Sequence, residues 1–539
     1  MIILLLAVSS CILPISGQKR GLKSIQTDEL RAHMDFLASD ELEGRSTGEA
    51  GLDVAARYLA TQAELMNLET ADEDGDYFQL YTLQERSYDL GNSNISIIDE
   101  AGNAIVDDNM FFLLPAIVKN EIEIEGEIVF AGYGIYEPDM NYNDFDGLDI
   151  TGKVVLIMDR APMNEDGVTS PLGDKWLGMS NFQNKLQYIV MQQPKAVVLV
   201  FDPKSGYNSI EEVNPGISDY LSKSTSMKKE EELPQEEIPG PKIVLAHRSV
   251  ADKVFKHTRT TLAEVQEKID TSLKPASFSM GDTKMRIHLA MQNMEMNVPN
   301  VFGYIEGSDP ELKDEFVLLM AHFDHVGTDG EGSVFNGADD NASGSVALLE
   351  IAEAFRAEKK MPRRSIGILW VSGEEIGLYG SKYFAEHPLV PIENIAAVIN
   401  LDMIGRIKTQ EDIESDRSGL TIVGRDSVKV IGALQSKILM EINEETLAEM
   451  GLFPNYSYNK PDHPDRYFYR SDHISFARKD IPVLFYSTGT HADYHLLTDD
   501  PGKIDYGKFL KMTKFAFKAG MNTADYKDEI TVDNPMSEW

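Results

Sequence analysis

The sequence predicts an α/β protein: a three-layer sandwich with a mixed, mostly parallel sheet between helices, and a second, β-rich segment inserted into it. Three observations predict this. Short apolar runs at 316–320, 366–371 and 396–401 are bounded by turn signals, as buried parallel strands are. A helical stretch, VALLEIAEAF at 346–355, falls between the first two. Each run also leads into a polar cluster, at the carboxyl ends of strands where open α/β sheets gather their ligands.

The 539 residues exceed what one core organises, so at least two domains are expected. A formal net charge of −38 sets the chain against nucleic acid and anionic membrane surfaces, which it would repel. Residues 1–17 (MIILLLAVSSCILPISG) form a short apolar run ended by small residues, the pattern of an export signal. Cys11, the only cysteine, closes a VSSC sequence similar to a bacterial lipoprotein box; cleavage after Gly17 is the alternative. Periplasmic, secreted or lipid-anchored location follows. No other stretch approaches the ~18–20 apolar residues of a membrane-spanning helix, so no integral membrane segment is expected in the mature protein.

Residues 18–117 are assigned to the first part of the ligand-bearing domain. Within 27–69, Leu30, Met34 and Leu37 recur at helical spacing behind Asp28 as a cap, and 43–51 supplies a Gly-rich turn before a second helix. Strand-like alternation takes over from 79. Residues 118–277 form the insertion: GEIVFAGYGI, GKVVLIMDR, KAVVLVFD and PKIVLAH are short β-rich runs without ligand clusters, with a helix at 182–191 and a charged loop at 218–239. Residues 278–525 return to the main domain, with a strand at 419–423, a long helix at 428–449, the strand IPVLFYST and a helix at 505–519. Residues 526–539 are a tail.

The polar clusters have the composition of a two-cation site. Such a site needs two ions about 3.5–4 Å apart, His and carboxylate ligands, a carboxylate shared between the ions, and a free carboxylate to take a proton from water. His322 and Asp324 are two apart on an extended chain and so face the same way: one binds metal while the other holds the opposite ring nitrogen. Asp339-Asp340 precedes a helix start, whose positive end favours carboxylates. Glu374 and Glu375, adjacent after a strand, diverge. Asp402 ends the next strand, and His495 on a distant loop completes the set. His325 and His491 are read as supporting hydrogen-bond partners or surface residues, Asp339 as a local hydrogen-bond partner, and Asp472 and His473 as a helix start that caps or supports, with substrate contact as the alternative.

These residues resemble the co-catalytic zinc exopeptidases, a family that includes bacterial leucyl aminopeptidases, glutamate carboxypeptidase II and the catalytically inactive transferrin receptor. AHFDHVG, NGADDNASG, GEEIGLYGS, NLDMIG and DYHLLTDD occur in family order, and FLASDELEGRSTG at 36–48 is typical of one aminopeptidase-like branch. The resemblance implies two zinc ions per chain. His322, Asp402 and bridging Asp340 would hold one; Glu375, His495 and the same Asp340 the other. It implies Glu374 as general base, Asp324 as the residue orienting His322, and Tyr494 as donor to the oxyanion. It also implies that 118–277 is a protease-associated domain, and that the substrate is a peptide trimmed from its N-terminus. A glutamate-carboxypeptidase-like activity would need an arginine clamp, for which Arg466 and Arg470 are candidates. A receptor-like module would have lost ligands, and a glutaminyl cyclase, a transferase on a similar fold, would bind a single zinc.

Overall fold

A computed structural model describes residues 20–71, 74–89, 91–107, 111–114, 121–164, 167–213, 223–228, 240–330, 332–415 and 419–536. The expected export signal and Cys11 lie outside the described residues, as do parts of the 218–239 loop and the last residues of the tail. The chain divides into two compact units, one from Met1–Thr82 with Met296–Trp539, the other from Leu83–Glu295.

The first unit is built on a sheet in the order Phe453–Asn455, Ser427–Ile431, Val483–Ser487, Ile395–Leu401, Phe316–His322, Ser365–Val371, and then 301–305 of the long strand Phe278–Ile305. The middle four strands run parallel; Ser427–Ile431 and residues 301–305 pair antiparallel at either side. All seven residues of Phe316–His322 and of Ser365–Val371 are buried, which is why these strands read as unbroken apolar runs. Alternation then sorts their two faces. Phe316, Leu318 and Met320 join Phe384, Ile474 and Phe476 in one core. Leu319 points the other way, against Gly520.

Helices cover both faces. Gly344–Ala357 and Tyr506–Asp525 lie on one, backed by Gly21–Ser24 and Thr27–Leu37; Tyr379–Glu386 and His473–Ala477 lie on the other. The predicted α/β sandwich with a mixed, mostly parallel sheet is therefore what the chain adopts.

Two local expectations change. The 419–423 strand and the helix beginning at 428 give way to a strand at Ser427–Ile431 and a helix at Lys437–Met450. Val428 and Val430 are β-branched and alternate, and Gly432 at φ +94° ends the strand, so the local pattern favours extension over helix. Asp28 makes no cap bond; Gln26 occupies that position and Asp28 sits in the first turn.

The second unit has its own sheet. Glu121–Phe130, Val154–Met158, Ala196–Val200 and Lys242–Ala246 run parallel in that order, with Phe111–Leu114 antiparallel at one edge and the first half of Phe278–Ile305 antiparallel at the other. It is wider than the expected 118–277 segment. Asn94–Ile98 pairs with 284–288 and with Ala104–Asp107, so strands on both flanks belong to its core. Among the described residues, no helix is long and apolar enough to cross a membrane.

Candidate metal centre

His322 is the last residue of its strand, so its ring leaves the sheet at the carboxyl end. Its Nε2 lies 3.5 Å from Asp340 Oδ1 and 3.6 Å from Asp402 Oδ1. His495, in the loop after Val483–Ser487, places Nε2 3.1 Å from Asp340 Oδ2 and 3.1 Å from Glu375 Oε2. The two oxygens of Asp340 thus face two different histidines. Two groups of ligand atoms result, His322–Asp340–Asp402 and His325–Asp340–Glu375–His495, each within 4.8 Å and both containing Asp340.

The donor set fits a pair of cations. The buried Nε2 atoms of His322, His325 and His495 have no hydrogen-bond partner. A tetrahedral ion with bonds of about 2.1 Å separates its ligand atoms by about 3.4 Å, close to the distances above. His325 comes nearer than a background residue would: its Nδ1 is 2.9 Å from Glu375 Oε1 and 3.8 Å from Asp340 Oδ2.

The charges show the same need. Burial opposes a charge on His322, yet Glu374, Asp324 and Asp402 raise its pKa well above the usual imidazole value. His495 behaves likewise: burial lowers it, while Asp340 and Glu375 push it up to about 10. Burial would raise Glu375, but the bond to His325 and the nearby His495 imidazole hold it well below the usual range. Glu374, without such bonds, is driven well above that range by burial, helped by Glu375, Asp472 and Asp402, though His322 opposes the rise. The adjacent glutamates are therefore shifted in opposite directions. Glu374 lines a cleft with Asp340, Asp402, Tyr467, Arg470 and Tyr494. The Tyr494 ring stacks on His495 at 3.9 Å, and burial first, then nearby carboxylates, raise its hydroxyl, so it stays a donor.

Residues 300–519, which carry every one of these ligands, match the sequence profile described as peptidase family M28. That stretch of the chain resembles peptidase family M28. A probable leucine aminopeptidase of Arthroderma otae is 32% identical over 117 residues, 21% of this chain and 33% of that protein. A probable zinc metalloprotease of Pyrenophora teres f. teres is 34% identical over 119 residues, 22% and 24% of the two chains. The matched stretch thus spans a third or less of these curated relatives. The solved aminopeptidase from Aneurinibacillus sp. strain AM-1 has a similar fold, with a TM-score of 0.51 at 16% identity over 96% of this chain and 98% of that one.

Much of what fixes the candidate ligands comes from residues that sequence reading did not single out. Asp499 Oδ2 accepts the backbone N–H groups of Asp339 and Asp340 at 3.0 and 3.1 Å. Asn341 donates to Leu401 O at 2.9 Å and accepts from Gly344 and Met403, so it ties the Asp340 loop to the strand that ends at Asp402. Ser471 donates to Asp402 Oδ2 at 2.7 Å. Arg45, buried far upstream of the matched stretch, donates to the carbonyls of Leu37, Phe323, Asn336 and Gly337, the last three flanking the candidate ligand loops. Thr47 donates to Asp324 Oδ2 at 3.0 Å. The only early signal for these two was the motif FLASDELEGRSTG, which contains both.

Asp324 has two neighbours. Its Oδ1 is 3.7 Å from His322 Nδ1, with its own carbonyl nearer at 3.3 Å, and its carboxylate accepts from the N–H groups of Glu374 and Glu375 at 3.2 and 3.3 Å. Asp339 is a local partner, accepting from Gly405 N–H at 2.6 Å with His491 Nε2 3.3 Å away. Asp472 is buried at a helix start without a side-chain cap bond, and burial pushes its carboxyl up to about 7. His473 stacks on Phe485, and burial pushes it down to about 3, so it packs as a neutral ring. Arg470 lines the cleft, whereas Arg466 lies over the Tyr469 ring.

Proposed function

We propose that this chain is a two-zinc exopeptidase of the M28 type that removes N-terminal residues from peptides. The observation that carries the reading is the shared aspartate: Asp340 offers one oxygen to the His322–Asp402 side and the other to the His495–Glu375 side. Mixed imidazole and carboxylate donors suit zinc. His322, Asp402 and Asp340 would hold one ion, and Glu375, His495 and Asp340 the second, with His325 orienting Glu375. Zinc, when bound, lowers the pKa of a coordinated water towards about 7 and polarises a carbonyl.

The chain's own groups do the rest. Glu374, raised by burial and free of hydrogen bonds to the histidines, accepts the proton of the attacking water and returns it to the leaving amine. Tyr494, held protonated, donates to the oxygen on which negative charge develops. Asp324 fixes both glutamates through their backbone N–H groups and backs His322.

Arg470 in the same cleft favours a second reading, in which a substrate carboxylate is gripped as in a carboxypeptidase. One experiment separates the two: turnover of free aminoacyl anilides against N-acylated dipeptides with acidic C-termini, with zinc content measured on the same sample. Hydrolysis of the first class with two zinc ions per chain is expected. Turnover confined to the N-acylated class would reject the aminopeptidase reading, and a single zinc would reject the two-ion site.

A further inference from the structure

A second acidic group lies in the same unit, where two helices meet. Thr27–Leu37 presents Glu29 and His33, four apart on one face; Gly344–Ala357 presents Glu350 and Glu353, three apart on its own. The helices pack together, and one oxygen from each of Glu29, Glu350 and Glu353 lies within 4.8 Å of the others. None of these residues takes part in the peptidase site.

The group is not completed by the protein. Glu350 is only 2% exposed, yet its Oε1 has no hydrogen-bond partner, and neither does the buried Oε2 of Glu29. The other oxygen of Glu350 receives a long bond, 3.3 Å, from Gln26 N–H. The basic atom set against the group is His33 Nε2, 3.8 Å from Glu350 Oε1; the opposite ring nitrogen is 2.7 Å from the Tyr58 hydroxyl. Burial lowers His33, so its ring is a poor source of positive charge here. Burial, with Glu29 and Glu353 adding to it, pushes Glu350 up to about 8, and burial and Glu29 raise Glu353 as well. Three carboxyl groups therefore crowd together, with two buried oxygens that no donor of the protein satisfies.

We propose that Glu29, Glu350 and Glu353 hold a third, structural divalent cation of the oxygen-preferring class, Ca2+ in chemical type. Carboxylate oxygens are the ligands such an ion takes, and exposed Glu353 leaves its remaining positions to water. The ion joins the N-terminal helix Thr27–Leu37 to Gly344–Ala357, the helix that begins beside the Asp340 loop. It thereby braces the base of the metal centre without touching it.

The test uses the full chain, loaded with zinc, in equilibrium dialysis against radioactive Ca2+, with the thermal midpoint measured in parallel. The expected result is one Ca2+ per chain in addition to zinc, and a midpoint that rises with Ca2+ to a plateau. Glu350→Gln and Glu353→Gln should each abolish both effects while zinc content stays unchanged. If buried Glu350→Gln fails to fold, Glu353→Gln, on the exposed turn, decides alone. Absence of Ca2+ binding at millimolar concentration overturns the proposal. Binding that survives in Glu353→Gln overturns it too, and so does a Glu353→Gln midpoint that equals the Ca2+-saturated wild type without added ion, since shared protons would then account for the cluster.

Discussion

In the 83–295 unit, Asp202 accepts two bonds of 2.7 Å from Arg160 and a third from Gln266, while Asp144 accepts from two backbone N–H groups and from Tyr142. Buried Lys185 is spent on the carbonyls of Met158 and Arg160. In the unit that carries Asp340, by contrast, the buried Nε2 atoms of His322, His325 and His495 have no hydrogen-bond partner. Both are polar clusters in a low-dielectric interior, where an unanswered group is costly. The first is closed by the protein itself and holds a fold together. The second is left open at defined atoms, as a site for something the chain does not supply.

Four substitutions break or sharpen that contrast. Glu374→Gln, in the open cluster, should lower kcat by about 10²–10⁴-fold while both zinc ions remain bound, as turnover and elemental analysis on one sample would show. Full activity with intact metal would remove Glu374 from its role. Asp202→Asn, in the closed cluster, should cost about 3 kcal/mol in a denaturant titration by stranding Arg160, and leave zinc content unchanged. Arg45→Lys keeps the charge but loses the fork that grips four carbonyls; zinc affinity should fall about 10–100-fold by chelator competition, with far-UV circular dichroism unaltered.

The smallest effect is a pH dependence at Lys429. It is buried over the Tyr458 ring at 3.8 Å, its Nζ has no hydrogen-bond partner, and burial pushes its pKa down to about 7. Between about pH 7 and the ordinary lysine value the unfolded chain holds a proton that the folded chain has lost, so stability should rise with pH across that window and level off below about pH 7, where both states are protonated. Lys429→Met should flatten a slope of about 1 kcal/mol per pH unit, read from denaturant midpoints at pH 7 and pH 9.

The strands at 316–322, 365–371 and 395–401 were legible because parallel strands buried on both faces are unbroken apolar runs, and the candidates His322, Asp324, Glu374, Glu375 and Asp402 stood out because they lie at or just beyond the ends of those runs. The Ser427–Ile431 strand was not: at one side of the four parallel strands and beside a long helical pattern, five residues carry too little period to stand out. The width of the second unit escaped for a related reason. Phe278–Ile305 is one 28-residue strand whose middle, from Gln292 to Asn297, is polar and reads as a break. Asp499 and Arg45 could not be found by any local pattern, since each acts on loops more than 150 positions away. His325 reads from sequence only as a neighbour of stronger candidates, and the 2.9 Å approach to Glu375 names its partner.

Arg45 has a practical bearing on how the molecule can be cut. A fragment trimmed to the matched region, 300–519, keeps all the proposed zinc ligands yet discards the guanidinium that fastens their loops and the threonine that steadies Asp324. An expression boundary drawn there should yield slack, poorly metallated material. The shortest working enzyme has to start upstream of residue 45 and carry everything between along with it.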